Sequence, residues 1–280
     1  MIGSGPNSRL PVTRPARPGT TEFDRLISEL ITKWELLGGA VGVVESGRLV
    51  VARGYGYADV ERTIPVSPEM GFRIASVSKP ITAVAVLRLV DHGYLSLDDR
   101  AMAFLDDIVS PAAVADHRVQ DITIRMLLQH SAGWETDGYD PMFETTEIAR
   151  AAGTSPPAGP STIIRHMFAQ ELDFTPGTKH VYSNFGYCIL GRIIERVTGE
   201  SYESAIQSTI LDEVGSSGMH VGHSSPDQRA PGEVAYESNS DAASVFPNGG
   251  TVPFADGGFH LEGMDAHGDG LLRLSTSYGL

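Results

Sequence analysis

Apolar positions fall into helical spacing at several places along the chain and into strand alternation at few. Phe23, Leu26, Ile27, Leu30, Ile31 and Trp34 recur at i, i+3, i+4, i+7, i+8 and i+11. That spacing predicts an amphipathic helix stopped by Gly38 and Gly39. Residues 1–20, ahead of it, are rich in Pro, Gly, Ser and Arg and show no apolar period. They read as a disordered tail without the apolar stretch of a secretory signal. Two β-rich runs follow the helix, Ala40–Val44 and Leu49–Arg53, with Glu45-Ser46-Gly47-Arg48 as the hairpin turn between them. Residues 54–69 read as strand remnants and turns.

Helical patterning then takes over. Pro80–Asp91 is apolar nearly all round and ends at Gly93, which predicts a buried helix. Shorter helices are predicted over Ile124–His130, opened by Thr123, and over Ser161–Gln170. Phe185, Ile189, Ile193 and Val197 share one face of a helix over Ser183–Thr198, closed by Gly199, and Ser201–Leu211 reads as helix too. After Gly215 the chain turns rich in Gly, Ser and Pro, with one strand predicted at Glu233–Ser238 and no internal repeat. The order helix, hairpin, helices, strands predicts an α/β (α+β) fold with a helical domain inserted in a sheet domain. The sheet part is expected at 21–75 and about 230–280, and the mainly helical part at 76–229.

Composition narrows the function. The 280 residues carry 35 acidic and 21 basic side chains, a formal net charge of −14, which disfavours nucleic acid and anionic membranes as partners. No run of about 18 apolar residues predicts a membrane span. One cysteine, Cys188, excludes an internal disulfide framework and a multi-cysteine zinc site. In its apolar helix it reads as a small buried hydrophobe. Only three lysines occur: Lys33, Lys79 and Lys179.

One of them sits in the sharpest motif, Ser76-Val77-Ser78-Lys79, directly before Pro80. Positions i and i+3 share a helix face, so the Ser76 hydroxyl and the Lys79 amine point into the same space. Proline is tolerated in a first turn, which places Ser76 at the start of the buried helix, where free N–H groups favour an oxyanion. A hydroxyl attacks only when a base takes its proton, and an amine serves where burial disfavours its charge. The plainer alternative is a serine helix cap beside a solvated lysine. A second motif, Tyr182-Ser183-Asn184, offers a phenol and an amide at the head of another helix, or simply a capped start.

Together these stretches resemble the serine β-lactamase and penicillin-recognising superfamily, in particular its class C β-lactamase-like branch (peptidase family S12, with the family VIII carboxylesterases). Residues 72–83 around Ser76 are similar to that branch's nucleophile segment, and residues 93–99 to the turn after it. Residues 124–134 resemble its "LLxHtSG" stretch. Phe174-Thr175-Pro176-Gly177 followed by Tyr182-Ser183-Asn184 resembles the lead into its Tyr-x-Asn turn. The resemblance implies a β-lactamase/transpeptidase-like fold, a mixed antiparallel sheet flanked by helices. It implies a serine hydrolase that forms an acyl-enzyme on Ser76, with Lys79 and Tyr182 sharing proton transfer. Asn184 would position substrate and Lys79, and the Ser76 N–H would supply half of an oxyanion hole. The implied substrates are small esters, D-amino-acid amides or β-lactams, with no cofactor and no metal. Trp134 reads as a packing residue that could instead border the substrate cleft. His130 reads as structural within its motif, not as a member of a Ser-His-Asp triad.

The superfamily's third motif, Lys-Thr-Gly or His-x-Gly, has no clear counterpart. His267-Gly268-Asp269-Gly270 is the nearest string, with the wrong spacing. The expectation is a chain lacking its last strands, and the rival reading is a catalytically weak or ligand-binding relative. A metal hydrolase is a remote third, since His220 and His223 stand without a His-Glu-x-x-His pattern. Compartment and oligomeric state stay open.

Overall fold

In a computed structural model, the residues described are 10–14, 19–135, 139–216, 218–222 and 229–236, with the backbone alone of 241–243, 251–253 and 272–274. The first helix, α1 (Thr21–Lys33), forms where the spacing predicts it. Its apolar stripe is less covered than expected: Ile31 is buried, while Leu26, Leu30 and Trp34 are exposed among the described residues. A polar clasp ties α1 to the strand behind it. The Asp24 carboxylate accepts from the Arg53 guanidinium and, at 2.8 Å, from the Tyr55 hydroxyl. Burial, and then the Asp24 carboxylate, push the Tyr55 phenol up to about 12.

The hairpin pairs β1 (Gly38–Glu45) with β2 (Arg48–Gly56) in antiparallel register. Ser46 and Gly47 join them with φ of 51° and 74°, the two left-handed residues of a type I′ turn, whose twist matches that of the strands. Gly38 and Gly39 do not stop the helix as predicted. They open β1, where Gly38 passes too close to its neighbours for a side chain: a Cβ there would lie 2.5 Å from the Tyr57 carbonyl oxygen, while one on Gly39 would meet nothing within 4 Å. Gly54 is tighter still, with a Cβ placed 2.0 Å from the Val66 carbonyl oxygen. Gly54→Ala is therefore expected to lose about 1–3 kcal/mol of stability, the usual scale of overpacking. A thermal melt checks this; an unchanged Tm would contradict the close approach.

Part of the expected tail is ordered. The Thr13 N–H donates to the Gly54 carbonyl at 2.9 Å, the Gly56 N–H donates to Pro11 at 2.9 Å, and the Thr13 hydroxyl donates to the Val66 carbonyl at 2.7 Å. These are backbone-directed bonds, so the polar, proline-rich composition did not reveal them.

The main core lies among the helices α2 (Ser78–Asp91), α3 (Ile124–Leu128), α4 (Thr145–Ala151), α5 (Pro160–Phe168), α6 (Asn184–Thr198) and α7 (Tyr202–Ile206). The predicted all-round burial of α2 is corrected: Thr82, Ala85, Val86 and Leu89 face the core, while Val84 and Leu87 are exposed. On the buried face the Thr82 and Tyr202 hydroxyls lie 2.6 Å apart, joining α2 to α7. The longest of these helices, α6, starts at Ser183, whose hydroxyl accepts the Gly186 N–H at 3.0 Å, and ends at Gly199 with φ 72°. Cys188 is fully buried in it. The predicted helix over 201–211 divides into α7 and a π-helical turn, Gln207–Leu211.

Strands are short beyond the hairpin. β3 (Phe72–Arg73), β4 (Met219–Val221) and a strand from late in the sequence, here β7 (Leu272–Leu274), form a sheet in the order β3-β7-β4, and β5 (Asp241–Ala243) pairs with β6 (Thr251–Pro253). Of the strand predicted at 233–238, Glu233 makes an isolated bridge to Gly71, and residues 237 and 238 lie outside the described residues. The architecture is the mixed α/β one expected, helices around small antiparallel sheets.

Candidate active site

The chain leaves β3 at Arg73 and enters α2 through a 3₁₀ turn, Ala75–Val77. Ala75 holds φ 44°, a left-handed conformation unfavourable for alanine, and strain of this kind tends to gather at functional sites. The next residue, Ser76, is exposed. One helical turn on, Lys79 is only 6% exposed, and its Nζ donates to Ser76 Oγ at 3.2 Å. Pro80 follows in the first turn of α2, where its missing N–H has no helical partner to disappoint.

The head of α6 arrives opposite. Tyr182 Oη lies 2.6 Å from Ser76 Oγ, and Lys79 Nζ lies 4.9 Å from the centre of the Tyr182 ring. Asn184 Oδ1 accepts from Lys79 Nζ at 2.6 Å, and Asn184 Nδ2 donates to Asp140 Oδ2 at 2.7 Å. The other Asp140 oxygen accepts the Met142 N–H at 3.0 Å. A continuous row of hydrogen bonds thus runs Tyr182, Ser76, Lys79, Asn184, Asp140. Burial pushes the Asp140 carboxyl above its usual range, opposed in part by the Met142 N–H, by Asn184 and by the Lys79 charge.

His130 supports the row from behind. It holds φ 55°, its carbonyl accepts the Val181 N–H at 2.8 Å, and its Nδ1 accepts the Ser183 N–H at 3.0 Å. Its ring packs 4.7 Å from that of Tyr182. It therefore tethers the Tyr-x-Asn turn, and the bond requires Nδ1 to be unprotonated. Burial, then the charges of His180 and Lys79, hold the His130 pKa below the ordinary 6.5. Such a group is neutral in the folded chain where the unfolded chain already takes up a proton. Stability should therefore fall as pH drops from 6.5 towards the folded value. We expect Tm to decline over that interval, and His130→Gln to flatten the decline; an equal slope in the variant would contradict the assignment.

The structure brings together Ser76, Lys79, Tyr182 and Asn184. It does not bring Trp134 to them. That side chain is 3% exposed and packs edge-on against Phe185 at 4.7 Å between ring centres and parallel to Phe168 at 6.1 Å. Trp134 is the packing residue of the first reading, and its alternative place bordering the cleft is corrected: it is a core residue. Asp140 was missed, since a lone aspartate before Pro141 carries no periodic or motif signal. His220 lies on β4; His223 and His267–Gly270 lie outside the described residues.

The family model for Beta-lactamase matches residues 23–272. The chain belongs to this family. Among curated relatives, protein flp of Staphylococcus aureus (strain COL) is 28% identical over 242 residues, covering 86% of this chain and 44% of that protein. The probable fimbrial assembly protein FimD, serogroup H1, of Dichelobacter nodosus is 34% identical over 185 residues, 65% of this chain and 43% of its own. The chain thus spans less than half the length of these family members. The octameric penicillin-binding protein homologue from Pyrococcus abyssi superposes with a TM-score of 0.67 at 26% identity, over 92% of this chain and 54% of that one. A class C beta-lactamase superposes with a TM-score of 0.66 at 20% identity, over 92% and 61%, and shares the fold. Among the described residues no helix is long and apolar enough to cross a membrane, and no cluster of three His, Cys, Asp or Glu side chains is placed to hold a metal ion.

Proposed function

We propose that this chain is a serine hydrolase that forms an acyl-enzyme on Ser76 and cleaves small esters, D-amino-acid amides or β-lactams. The observation that carries the reading is the pair of contacts on one exposed hydroxyl, Tyr182 Oη at 2.6 Å and Lys79 Nζ at 3.2 Å. With Lys79 donating to Oγ, the Ser76 proton is free to point at Tyr182. In acylation, Oγ attacks the carbonyl carbon and gives its proton to Tyr182 Oη. The phenol passes its own proton to the leaving oxygen or nitrogen as that bond to carbon breaks. Deacylation runs in reverse, with water as nucleophile and the proton returning to Ser76. Lys79 stabilises the charge developing on Oγ, and the Ser76 N–H, at the start of a helical segment, contributes to holding the oxyanion.

The substrate range draws on the family. Solved relatives include a D-stereospecific amidohydrolase from Streptomyces and EstCE1, described as a hydrolase with promiscuous acyltransferase activity. The test is intact-mass analysis after incubation with a fluorophosphonate or penicillin G, with peptide mapping, alongside p-nitrophenyl acetate hydrolysis. An adduct on the Ser76 peptide with ester turnover is expected. An adduct elsewhere would overturn the assignment, and an adduct on Ser76 without turnover would favour a ligand-binding relative.

A further inference from the structure

Asparagine has a nearly symmetric end: rotating its amide by half a turn exchanges an acceptor for a donor without changing shape. At Asn184 that choice matters, because the neighbours on its two sides demand opposite things. Lys79 offers only N–H donors, and the Asp140 carboxylate only acceptors. In one orientation the amide oxygen faces Lys79 and the amide nitrogen faces Asp140, giving bonds of 2.6 and 2.7 Å. In the other, the amide N–H groups would face the ammonium, and the amide oxygen would face the carboxylate. Asn184 is 8% exposed and Lys79 6%, so little water is at hand to satisfy the wrong arrangement.

We propose that Asp140 is a positioning residue of this site, fixing the Asn184 amide so that its carbonyl binds Lys79 and aims Nζ at Ser76. The inference rests on the reading of Ser76 as nucleophile and adds the group that orients its partner. Asp140 is itself held, by the Met142 N–H on its other oxygen, so the orientation passes from the 140–142 turn through Asn184 to the amine. Folding disfavours the Asp140 charge, as its raised carboxyl shows, yet the carboxylate stands beside the reacting row. Its nearest cation in that row is Lys79, and Tyr139 adjoins it in sequence.

The test uses the full chain with p-nitrophenyl acetate as substrate, and Asp140→Ala and Asp140→Asn as variants. Alanine removes the acceptor. Asparagine offers one acceptor where Asp140 offers two, so it can meet Asn184 Nδ2 or the Met142 N–H but not both. Misaligning a reacting group by about an ångström costs on the order of 10–100-fold, so D140A should lower kcat by that factor with KM within about twofold. D140N should recover part of the loss at most. A D140A kcat equal to that of the parent would overturn the proposal. A second readout does not depend on turnover: hydrogen exchange of the Asn184 side-chain amide by NMR. It should be slow in the parent and fast in D140A. Fast exchange in the parent overturns the role of Asp140. Failure of the parent to be labelled on Ser76, with Asn184 still protected, overturns the hydrolase reading instead.

Discussion

Ser76→Ala is expected to remove the covalent adduct entirely and to lower ester turnover by about 10⁴-fold or more, the scale seen when a nucleophile acting in a concerted group is deleted. The loss is large because the hydroxyl is the shared member of two contacts, accepting from Lys79 and pairing with Tyr182. Without it, the amine and the phenol have no oxygen between them to activate. The substitution should leave the fold intact: Ser76 is exposed and its loss empties no core space. Single-turnover mass spectrometry and steady-state rates with p-nitrophenyl acetate check it. Residual labelling at the parent rate would mean that another residue is acylated.

Tyr182→Phe isolates one atom. The phenylalanine ring can keep the packing against His130, 4.7 Å between ring centres, and its place beside the Lys79 amine. Only the oxygen 2.6 Å from Ser76 Oγ is lost. Proton transfer by a positioned side chain is worth about 10²–10⁴-fold, and kcat should fall within that range while Tm stays close to the parent value. A larger loss for amides than for activated p-nitrophenyl esters is expected, since an amide nitrogen must receive a proton to leave and a nitrophenolate need not. A fall of less than about threefold would assign the proton to Lys79 instead.

Local chemistry was legible in the sequence, and long-range placement much less so. Ser76 and Lys79 stand three residues apart, and helical geometry alone joins them. Tyr182 reaches the same point from 106 residues away. Its role was suggested by the resemblance to a family, not by spacing. Helices with clear caps were predicted well: Thr123 and Ser183 open helices, and Gly93 and Gly199 close them. Gly38 misled, because a glycine that ends a helix and one that admits a close strand look the same in sequence; Gly39 opens the same strand with free space beside it. Trp134 reads two ways in the sequence, packing or cleft border, since a large aromatic next to a motif fits either until its neighbours Phe168 and Phe185 are seen; its packing reading holds. Asp140 left no trace at all: its importance lies in facing an amide 44 residues further on.

The pairing of β3 with β7 has a consequence for the order of events during synthesis. Phe72 lies opposite Leu274, about 200 positions later, so this pairing awaits a loop closure spanning most of the sequence. The helices between them rely largely on nearer contacts and can settle while the ribosome is still at work. The segment leading into Ser76 is therefore translated early but gains this strand partner late, and a nascent chain stalled before residue 272 should carry the proposed nucleophile while β3 lacks its pairing with β7.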